Sequence, residues 1–294
     1  MANIRTPITK LKLNDGNSIP MLAYGTGTAW SKSDENQIDK ELVKSMKTAI
    51  SMGYNHIDGA EMYKTEPEMG VAIKECGVER EKIFITTKWA GVGDIKECVK
   101  KSLQKLQLDY LDLYLIHSPW YADNNEGLQK QWAVMEEIKE EGLAKSIGVS
   151  NFLPQHLDAV MKTAKITPAI NQIEFHPYLQ RSKLLEHHKK LGIATSAYGP
   201  LSPITKARPG PIDDFVASLA KKYAVSDSEI CLRWCIDQDI VAVTTSSREQ
   251  RMSDYLRCTT FKLTPTEIRE IKTRGEEKHH RAFWGKRFAP DDRS

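Results

Sequence analysis

Four side chains of different chemical type lie near the ends of predicted strands in the first half of the sequence. They are a carboxylate, a phenol, an ammonium group and an imidazole: Asp58, Tyr63, Lys88 and His117. The set contains no serine or cysteine nucleophile, so it favours proton transfer to a polarised oxygen. The phenol can give the proton, and the imidazole can hydrogen-bond the same oxygen or relay the proton. The set predicts reduction of a carbonyl, and it requires a nicotinamide because no side chain supplies hydride.

The proton donor in this interpretation is Tyr63, which is a weak acid on its own because a free phenol has a pKa of about 10. An ammonium group about 4 Å away, at an effective dielectric of about 20, favours the phenolate by about 4 kcal/mol, roughly three pKa units. Lys88 is the candidate for that group, and Asp58 would fix it and partly neutralise it. We therefore expect the pKa of Tyr63 to be lowered to an intermediate value.

Short apolar strands alternate with amphipathic helical stretches along the chain. An amino-terminal hairpin comes first, because Leu11 and Leu13 alternate with lysines and residues 14–17 supply a turn before Ile19. After it, eight strands are predicted to end near Tyr24, Ile57, Thr87, Ile116, Gly148, Ile173, Ala197 and Val243. Apolar residues recur at helical spacing between these strands. The pattern predicts an α/β fold, a (β/α)8 TIM barrel with the N-terminal β-hairpin as a cap.

The polar residues at these strand ends would gather at the carboxyl-terminal face of such a barrel, where the catalytic groups of this fold are found. A doubly wound sheet stays open as an alternative, because alternation of strands and helices does not exclude it. Residues 25–30 lack a third glycine at phosphate-loop spacing, and Gly25 and Gly27 are interpreted as turn or close-approach glycines. No linker or low-complexity tract interrupts the sequence, so residues 1–294 are predicted to form one domain.

The composition is that of an ordinary globular protein. Hydrophobic residues make up 40% and charged residues 28% of the chain, and the formal charge is +3, which does not suggest a nucleic-acid-binding protein. The cysteines follow no metal-ligand spacing, so no metal is expected. Residues 1–5 contain no apolar signal core, and no stretch approaches the ~20 apolar residues of a membrane span. We expect a soluble, cytoplasmic protein that contacts neither membrane nor nucleic acid.

The candidate residues lie within blocks that resemble the aldo-keto reductases. Residues 58–63 read DGAEMY, followed by Glu66 and by GVAI at 70–73, similar to the family's D-x-A-x-x-Y signature and its continuation. Residues 85–89 and 111–117 resemble its lysine and histidine strands, and residues 147–152 and 171–178 match two further blocks. The resemblance runs in order over about residues 10 to 260. It implies a barrel, usually monomeric, that reduces ketones and aldehydes with NADPH bound in extended form, without a Rossmann domain.

The resemblance also assigns the cofactor-binding residues at the carboxyl-terminal face. Amide and hydroxyl groups would hold the carboxamide, one aromatic ring would stack on the nicotinamide, and a loop would cover the pyrophosphate. In that order these are Ser150, Asn151 and Gln172, then Tyr198, then Gly199 and Leu201, with Gly25 and Thr26 completing the site.

The adenosine end departs from the family pattern. Many members read I-P-K-S, with the lysine reaching the ribose 2′-phosphate, whereas here Thr245 replaces that lysine. Ser246, Ser247, Arg248 and Arg251 remain as candidates, because an arginine can grip a phosphate with paired hydrogen bonds. The variant is similar to fungal reductases of α-keto amides and conjugated polyketones. It implies a small-molecule substrate with an activated ketone, such as an α-keto amide, a conjugated diketone or a ketolactone.

Three tryptophans are candidate substrate contacts. Trp30, Trp89 and Trp120 are interpreted as an aromatic wall around the substrate carbonyl, and packing at the rim is the alternative. The tail, residues 279–294, carries further aromatic residues and would either fold over the pocket, as such tails do in the family, or be disordered.

Two other functions remain compatible with the sequence. Some barrels that resemble this family serve as regulatory subunits while keeping the cofactor, although the intact catalytic set, including His117, favours turnover. A barrel hydrolase would use Asp58 with Glu61 or Glu66 as a carboxylate pair, but that function leaves Lys88 without a role.

Overall fold

The computed structural model describes residues 7–294; residues 1–5, in which the sequence predicts no signal core, lie outside the described residues. Its strands are β1 (Lys10–Lys12), β2 (Ser18–Pro20), β3 (Leu22–Gly25), β4 (His56–Asp58), β5 (Phe84–Trp89), β6 (Leu111–Ile116), β7 (Ala144–Ser150), β8 (Ile170–Glu174), β9 (Ala194–Tyr198) and β10 (Ile240–Thr244). The strands β3 to β10 are parallel and close into a barrel, in which β10 pairs with β3. Closure confirms the predicted (β/α)8 barrel and excludes the doubly wound sheet.

Helices connect the barrel strands and cover the outside of the sheet. They are α1 (Lys40–Met52), α2 (Glu66–Glu75), α3 (Ile95–Leu106), α4 (Asn125–Glu140), α5 (Pro154–Met161), α6 (Ser182–Leu191), α7 (Ser202–Thr205), α8 (Asp213–Tyr223), α9 (Asp227–Ile236), α10 (Glu249–Leu256) and α11 (Pro265–Glu276). Their apolar faces and the outward side chains of the strands form the larger part of the hydrophobic core.

The first of these helices shows how the local sequence produces the elements. The Asp39 side chain accepts hydrogen bonds from the backbone N–H groups of Glu41 and Leu42, so it caps α1 at its amino terminus. Leu42 and Met46 are fully buried on the face that the apolar spacing predicts. Gly53 ends the helix at φ 112°, a left-handed conformation that glycine adopts without steric cost.

The hairpin of β1 and β2 caps the amino-terminal end of the barrel, as predicted. The two strands are antiparallel, with Leu11 opposite Ile19. Leu13 and Ile19 pack with Phe84 and Leu113, whose strands line the barrel, in a second, smaller apolar cluster. Burial of large apolar side chains stabilises the fold by about 1.5–3 kcal/mol each. This end is therefore filled with apolar side chains, and the polar site must lie at the other end.

Two strands run further than the sequence pattern suggests. β5 continues to Trp89, so Lys88 lies inside the strand and not after it, and β7 continues to Ser150, past the expected end near Gly148. Both extensions place a polar residue in a buried strand. They are tolerated because each polar group finds a partner inside the barrel, as buried polar groups must.

None of the helices within residues 7–294 is both long enough and apolar enough to cross a membrane. The same residues contain no cluster of three or more His, Cys, Asp or Glu side chains that is placed to hold a metal ion.

Candidate active site

The floor of the site is a buried ion pair between neighbouring barrel strands. Lys88 on β5 donates from Nζ to Asp58 Oδ1 and to the Gly59 carbonyl, both at 2.6 Å. Gln172 on β8 donates from Nε2 to the other carboxylate oxygen of Asp58 at 2.8 Å. Lys88 has no exposed surface, and burial lowers its pKa while the Asp58 charge raises it. The ammonium is thus held in place by two acceptors, and its charge is largely balanced by Asp58.

Tyr63 lies above this pair, at the end of a short 3-10 segment, Glu61–Tyr63, which follows β4. Its ring centroid is 5.5 Å from Lys88 Nζ, and its Oη is 3.4 Å from His117 Nε2. A Cβ atom at position 27 would lie 2.9 Å from the Tyr63 ring, closer than real Cβ atoms come. The absence of a side chain at Gly27 therefore allows the phenol to occupy this place, in agreement with its interpretation as a close-approach glycine.

The pKa of Tyr63 shifts in the direction opposite to the sequence prediction. Burial is the largest cause of an upward shift, and the Asp58 carboxylate raises the pKa further. The expected lowering by Lys88 is wrong for this arrangement, because burial outweighs it and the Lys88 ammonium is paired with Asp58. Tyr63 is consequently a neutral phenol at physiological pH.

His117 follows β6 directly and faces the same space. Its Nδ1 atom is buried and has no hydrogen-bond partner among residues 7–294. Burial, followed by the charge of Lys88, holds the pKa of His117 well below its ordinary value. The imidazole is therefore neutral at physiological pH, and its only described hydrogen bond is the long one to Tyr63.

The residues assigned to the carboxamide form a connected group beside His117. Ser150 donates from Oγ to the Gln172 carbonyl at 2.7 Å. Asn151 donates from Nδ2 to the His117 carbonyl at 2.9 Å and accepts at Oδ1 from the Tyr198 hydroxyl at 2.6 Å. Asn151 has a positive φ of 64°, a conformation that asparagine adopts more readily than most residues. These contacts fix the amide side chains and the Tyr198 ring relative to His117.

A cavity of about 440 Å³ opens above this group. The predicted site residues that line it are Asp58, Tyr63, His117, Gly25, Asn151, Gln172, Tyr198, Gly199, Leu201, Thr245 and Arg251. The predicted residues outside this lining are Lys88, Thr26, Ser150, Ser246, Ser247 and Arg248. Lys88 and Ser150 lie directly behind lining residues, through the contacts given above. The structure thus brings most of the predicted set to one cavity.

The three predicted tryptophans are not among the described residues that line the cavity. Trp30 donates from its indole nitrogen to Thr245 Oγ1 at 3.2 Å. Trp89 is buried edge-on against Tyr121, with ring centroids 5.6 Å apart. Trp120 packs against aromatic residues of the tail. Packing at the rim, the alternative interpretation, describes all three better than a wall around a carbonyl.

Two of the aromatic side chains in the cavity wall come from the carboxyl-terminal tail. The buried carboxylate of Glu174 accepts hydrogen bonds from the backbone N–H groups of Ala282 at 2.7 Å and Phe283 at 3.1 Å. Phe283 meets Tyr198 edge-on at 5.3 Å, and both Phe283 and Trp284 line the cavity. The sequence left the tail open between folded and disordered, and the structure shows it folded against the cavity.

The carboxylate pair that a hydrolase would need is not formed. Both oxygens of Asp58 are occupied by Lys88 and Gln172. Glu61 accepts the Ala90 N–H at 2.9 Å, and the fully buried Glu66 accepts the Thr87 hydroxyl at 2.7 Å. These carboxylates serve local structure, so nothing in the geometry favours hydrolysis.

Comparison with known proteins identifies this arrangement. The sequence pattern of the Aldo/keto reductase family matches residues 21–275. A NAD/NADP-dependent indole-3-acetaldehyde reductase of Schizosaccharomyces pombe is 43% identical over 91% of this chain and 96% of that protein. An NADPH-dependent alpha-keto amide reductase of Saccharomyces cerevisiae is 37% identical over 94% of each chain. The crystal structure of a Bombyx mori aldo-keto reductase in complex with NADP superposes with a TM-score of 0.81, at 35% identity, over 91% of this chain and 93% of that one.

Proposed function

Because this chain belongs to the aldo/keto reductase family, we propose that it reduces carbonyl groups to alcohols with NADPH as the hydride donor. One observation carries the proposal: Tyr63 and His117 line the cavity directly above the Lys88–Asp58 pair, and both are open to a ligand oxygen. The regulatory-subunit alternative has no comparable support, since the catalytic set is complete.

The residues around the cavity fit an extended dinucleotide. Amide side chains of Asn151 and Gln172 lie at one part of the lining, where a carboxamide would find donors and acceptors. Lys206 and Arg251 add two cations to the lining, which suits phosphate groups. When bound, NADPH supplies the hydride that adds to the carbonyl carbon.

Tyr63 supplies the proton in the proposed reaction. Burial keeps the phenol protonated at neutral pH, so the proton is in place on Oη before a substrate arrives. Neutral His117 hydrogen-bonds the same oxygen and orients it. The substrate oxygen takes the phenol proton as negative charge develops on it, and solvent then reprotonates Tyr63. Lys88, which Asp58 holds in place, lies beneath the Tyr63 ring and helps to keep the phenol in position during the proton transfer.

We propose activated ketones as substrates: α-keto amides, conjugated diketones of the polyketone type, or ketolactones. The aromatic tail residues Phe283 and Trp284, with Met62, offer an apolar surface for the rest of such a molecule. The alpha-keto amide reductase similarity points the same way.

We further propose a cytoplasmic monomer in which residues 1–294 form one domain. The support is that α8 to α11 pack on each other and on the barrel strands as part of one core. Light scattering coupled to gel filtration would test the monomer, and a mass of twice 33.3 kDa would contradict it.

The direct test is a steady-state assay that follows the absorbance of the reduced nicotinamide. The purified protein is mixed with NADPH or NADH and with aldehydes, α-keto amides, diketones and cyclic ketones. We expect the highest kcat/KM with NADPH and the activated ketones. Failure to oxidise either nucleotide with any carbonyl would overturn the reductase, and higher kcat/KM for simple aldehydes would overturn the substrate class.

A further inference from the structure

A hydrogen bond joins two loops at the rim of the cavity. Trp30 lies in the loop after β3, Thr245 directly follows β10, and these two strands are neighbours in the barrel. The indole N–H of Trp30 donates to Thr245 Oγ1 at 3.2 Å. Thr28, Ala29 and Thr245 line the cavity, whereas Trp30 is not part of the lining. The indole therefore bridges the rim from the outside of the lining.

The Thr245 side of this bridge is held firmly. The Tyr24 hydroxyl donates to the Ser246 carbonyl at 3.2 Å, and Ser45 Oγ donates to the same carbonyl at 3.3 Å. The two hydroxyl groups are 2.7 Å apart, and both side chains are buried. The backbone after β10 is thus fixed by two buried donors at the Ser246 carbonyl.

The Trp30 side is the movable one. Residues 26–39, between β3 and α1, contain no helix or strand. Lys32 anchors the middle of this loop, because its backbone N–H donates to the Tyr63 carbonyl at 3.0 Å and its ammonium pairs with Glu68. Between Gly25 and Lys32, Trp30 is half-buried, and its indole nitrogen bonds Thr245, with the Tyr24 hydroxyl as a second neighbour of both side chains. A few residues can therefore swing while the rest of the loop stays in place.

We propose that the Trp30–Thr245 hydrogen bond is a clasp that closes over the bound nicotinamide dinucleotide and slows its release. The inference rests on the proposed function. It gives Thr245 a role different from the lysine that many relatives carry there: the hydroxyl is an acceptor for Trp30 and adds no charge toward a 2′-phosphate. The clasp consequently retains NADPH and NADH to the same degree, and discrimination between them falls to Arg251.

The test measures nucleotide release and not turnover. NADPH bound to the protein is chased with excess NADP⁺ in a stopped-flow instrument, and the loss of its fluorescence gives the dissociation rate; NADH is treated in the same way. Trp30→Phe keeps an aromatic ring without the donor, and Thr245→Val keeps the shape without the acceptor. We expect each to speed the release of both nucleotides about fivefold, the change that corresponds to one net hydrogen bond.

The double variant decides whether the two groups act together. If they form one clasp, Trp30→Phe with Thr245→Val releases nucleotide no faster than either single variant, whereas a product of about 25-fold means independent effects and overturns the clasp. Thr266→Val, which removes an exposed hydroxyl outside the cavity lining, is the matched control and should leave release unchanged. Unchanged release in both single variants also overturns the clasp. A wild-type protein that binds neither nucleotide overturns the proposed function itself.

Discussion

The two ends of the barrel each contain a buried histidine, and the two differ in what their ring nitrogens contact. At the amino-terminal end, His56 lies with Nδ1 3.2 Å from the Pro20 carbonyl and Nε2 3.0 Å from the Thr86 hydroxyl. At the carboxyl-terminal end, His117 is 5% exposed, no more than a buried core residue, yet its Nδ1 has no partner among residues 7–294. Both are buried, so open hydrogen-bonding capacity is what distinguishes His117, the proposed functional histidine, from His56.

The packing around the two histidines also differs: His56 is enclosed by apolar side chains, and His117 faces a cavity. His56 lies edge-on to Phe84, which packs with Leu13 and Ile19 of the hairpin. His117 faces a cavity of about 440 Å³. An unpartnered polar atom in an apolar core costs free energy, and a ligand that fills the cavity can recover it. One end of the barrel thus stabilises the fold, and the other keeps polar groups available for chemistry.

The largest effect is expected at the open end, from Tyr63→Phe. Removing the phenol oxygen should lower kcat about a thousandfold, within the range of a lost general acid, because among residues 7–294 the Tyr63 hydroxyl is the one group that hydrogen-bonds the His117 ring. The NADPH dissociation constant should change less than twofold. Steady-state kinetics and fluorescence titration check both, and turnover close to wild type would remove the proton-donor role.

Paired substitutions of the histidines test the comparison itself. His117→Gln should lower kcat about a hundredfold and leave the melting temperature nearly unchanged. His56→Gln should leave kcat within about twofold and lower the free energy of unfolding by about 1–3 kcal/mol, since it disturbs two satisfied buried hydrogen bonds. Urea denaturation beside the kinetic assay separates the two outcomes; a reversal of the pattern would break the contrast between the ends.

The closed end also predicts a dependence of stability on pH. Burial lowers the pKa of His56 to about 4, so between this value and the ordinary value of about 6.5 the unfolded chain binds a proton that the folded chain does not. Stability due to His56 is therefore fully present above about pH 6.5 and is lost as the pH falls toward 4. Between pH 6.5 and 5 the loss from this residue is about 1.5 kcal/mol. Urea unfolding should show a smaller pH slope in His56→Gln than in the wild type, and equal slopes would contradict the assignment.

Sequence patterns predict the barrel and the candidate catalytic residues for a physical reason. A strand buried on both faces reads as an apolar run, and a polar residue such as Asp58 or His117 at its end has no structural reason to be there. Lys88 does not follow this rule, because it lies inside β5 and not at its end, and its buried charge is stabilised by pairing with Asp58. The predicted shift in the pKa of Tyr63 was wrong in direction because burial, the largest cause of the upward shift, is not visible in a linear chain.

The parts of the site that the sequence did not specify depend on contacts between residues that are far apart in the chain. Trp30 bonds Thr245, and the tail is fixed by Glu174 more than a hundred residues earlier in the chain. Single aromatic residues carry no periodicity that specifies such a partner. The sequence therefore pointed to Trp30, Trp89 and Trp120 as an aromatic wall and left the tail open, whereas in the fold Phe283 and Trp284 of the tail line the cavity.

The smallest effect expected from this comparison concerns two arginines near α10. The guanidinium of one has no partner in the described chain, and that of the other is fully paired. Arg251 lines the cavity, and its guanidinium makes no hydrogen bond or ion pair with residues 7–294, whereas the guanidinium of Arg257 is held by both carboxylate oxygens of Glu229, at 2.8 and 3.1 Å. Arg251→Ala should weaken NADPH binding about tenfold and NADH binding less than twofold, because only NADPH carries the 2′-phosphate that a guanidinium can grip. Arg257→Ala is the matched control and should alter neither dissociation constant.

Fluorescence titration at one fixed, low ionic strength measures the dissociation constants of both nucleotides for both variants, since screening at high salt would hide the difference. Equal weakening of both nucleotides by Arg251→Ala would remove its 2′-phosphate role and leave Arg248, on the exposed loop, as the alternative cation.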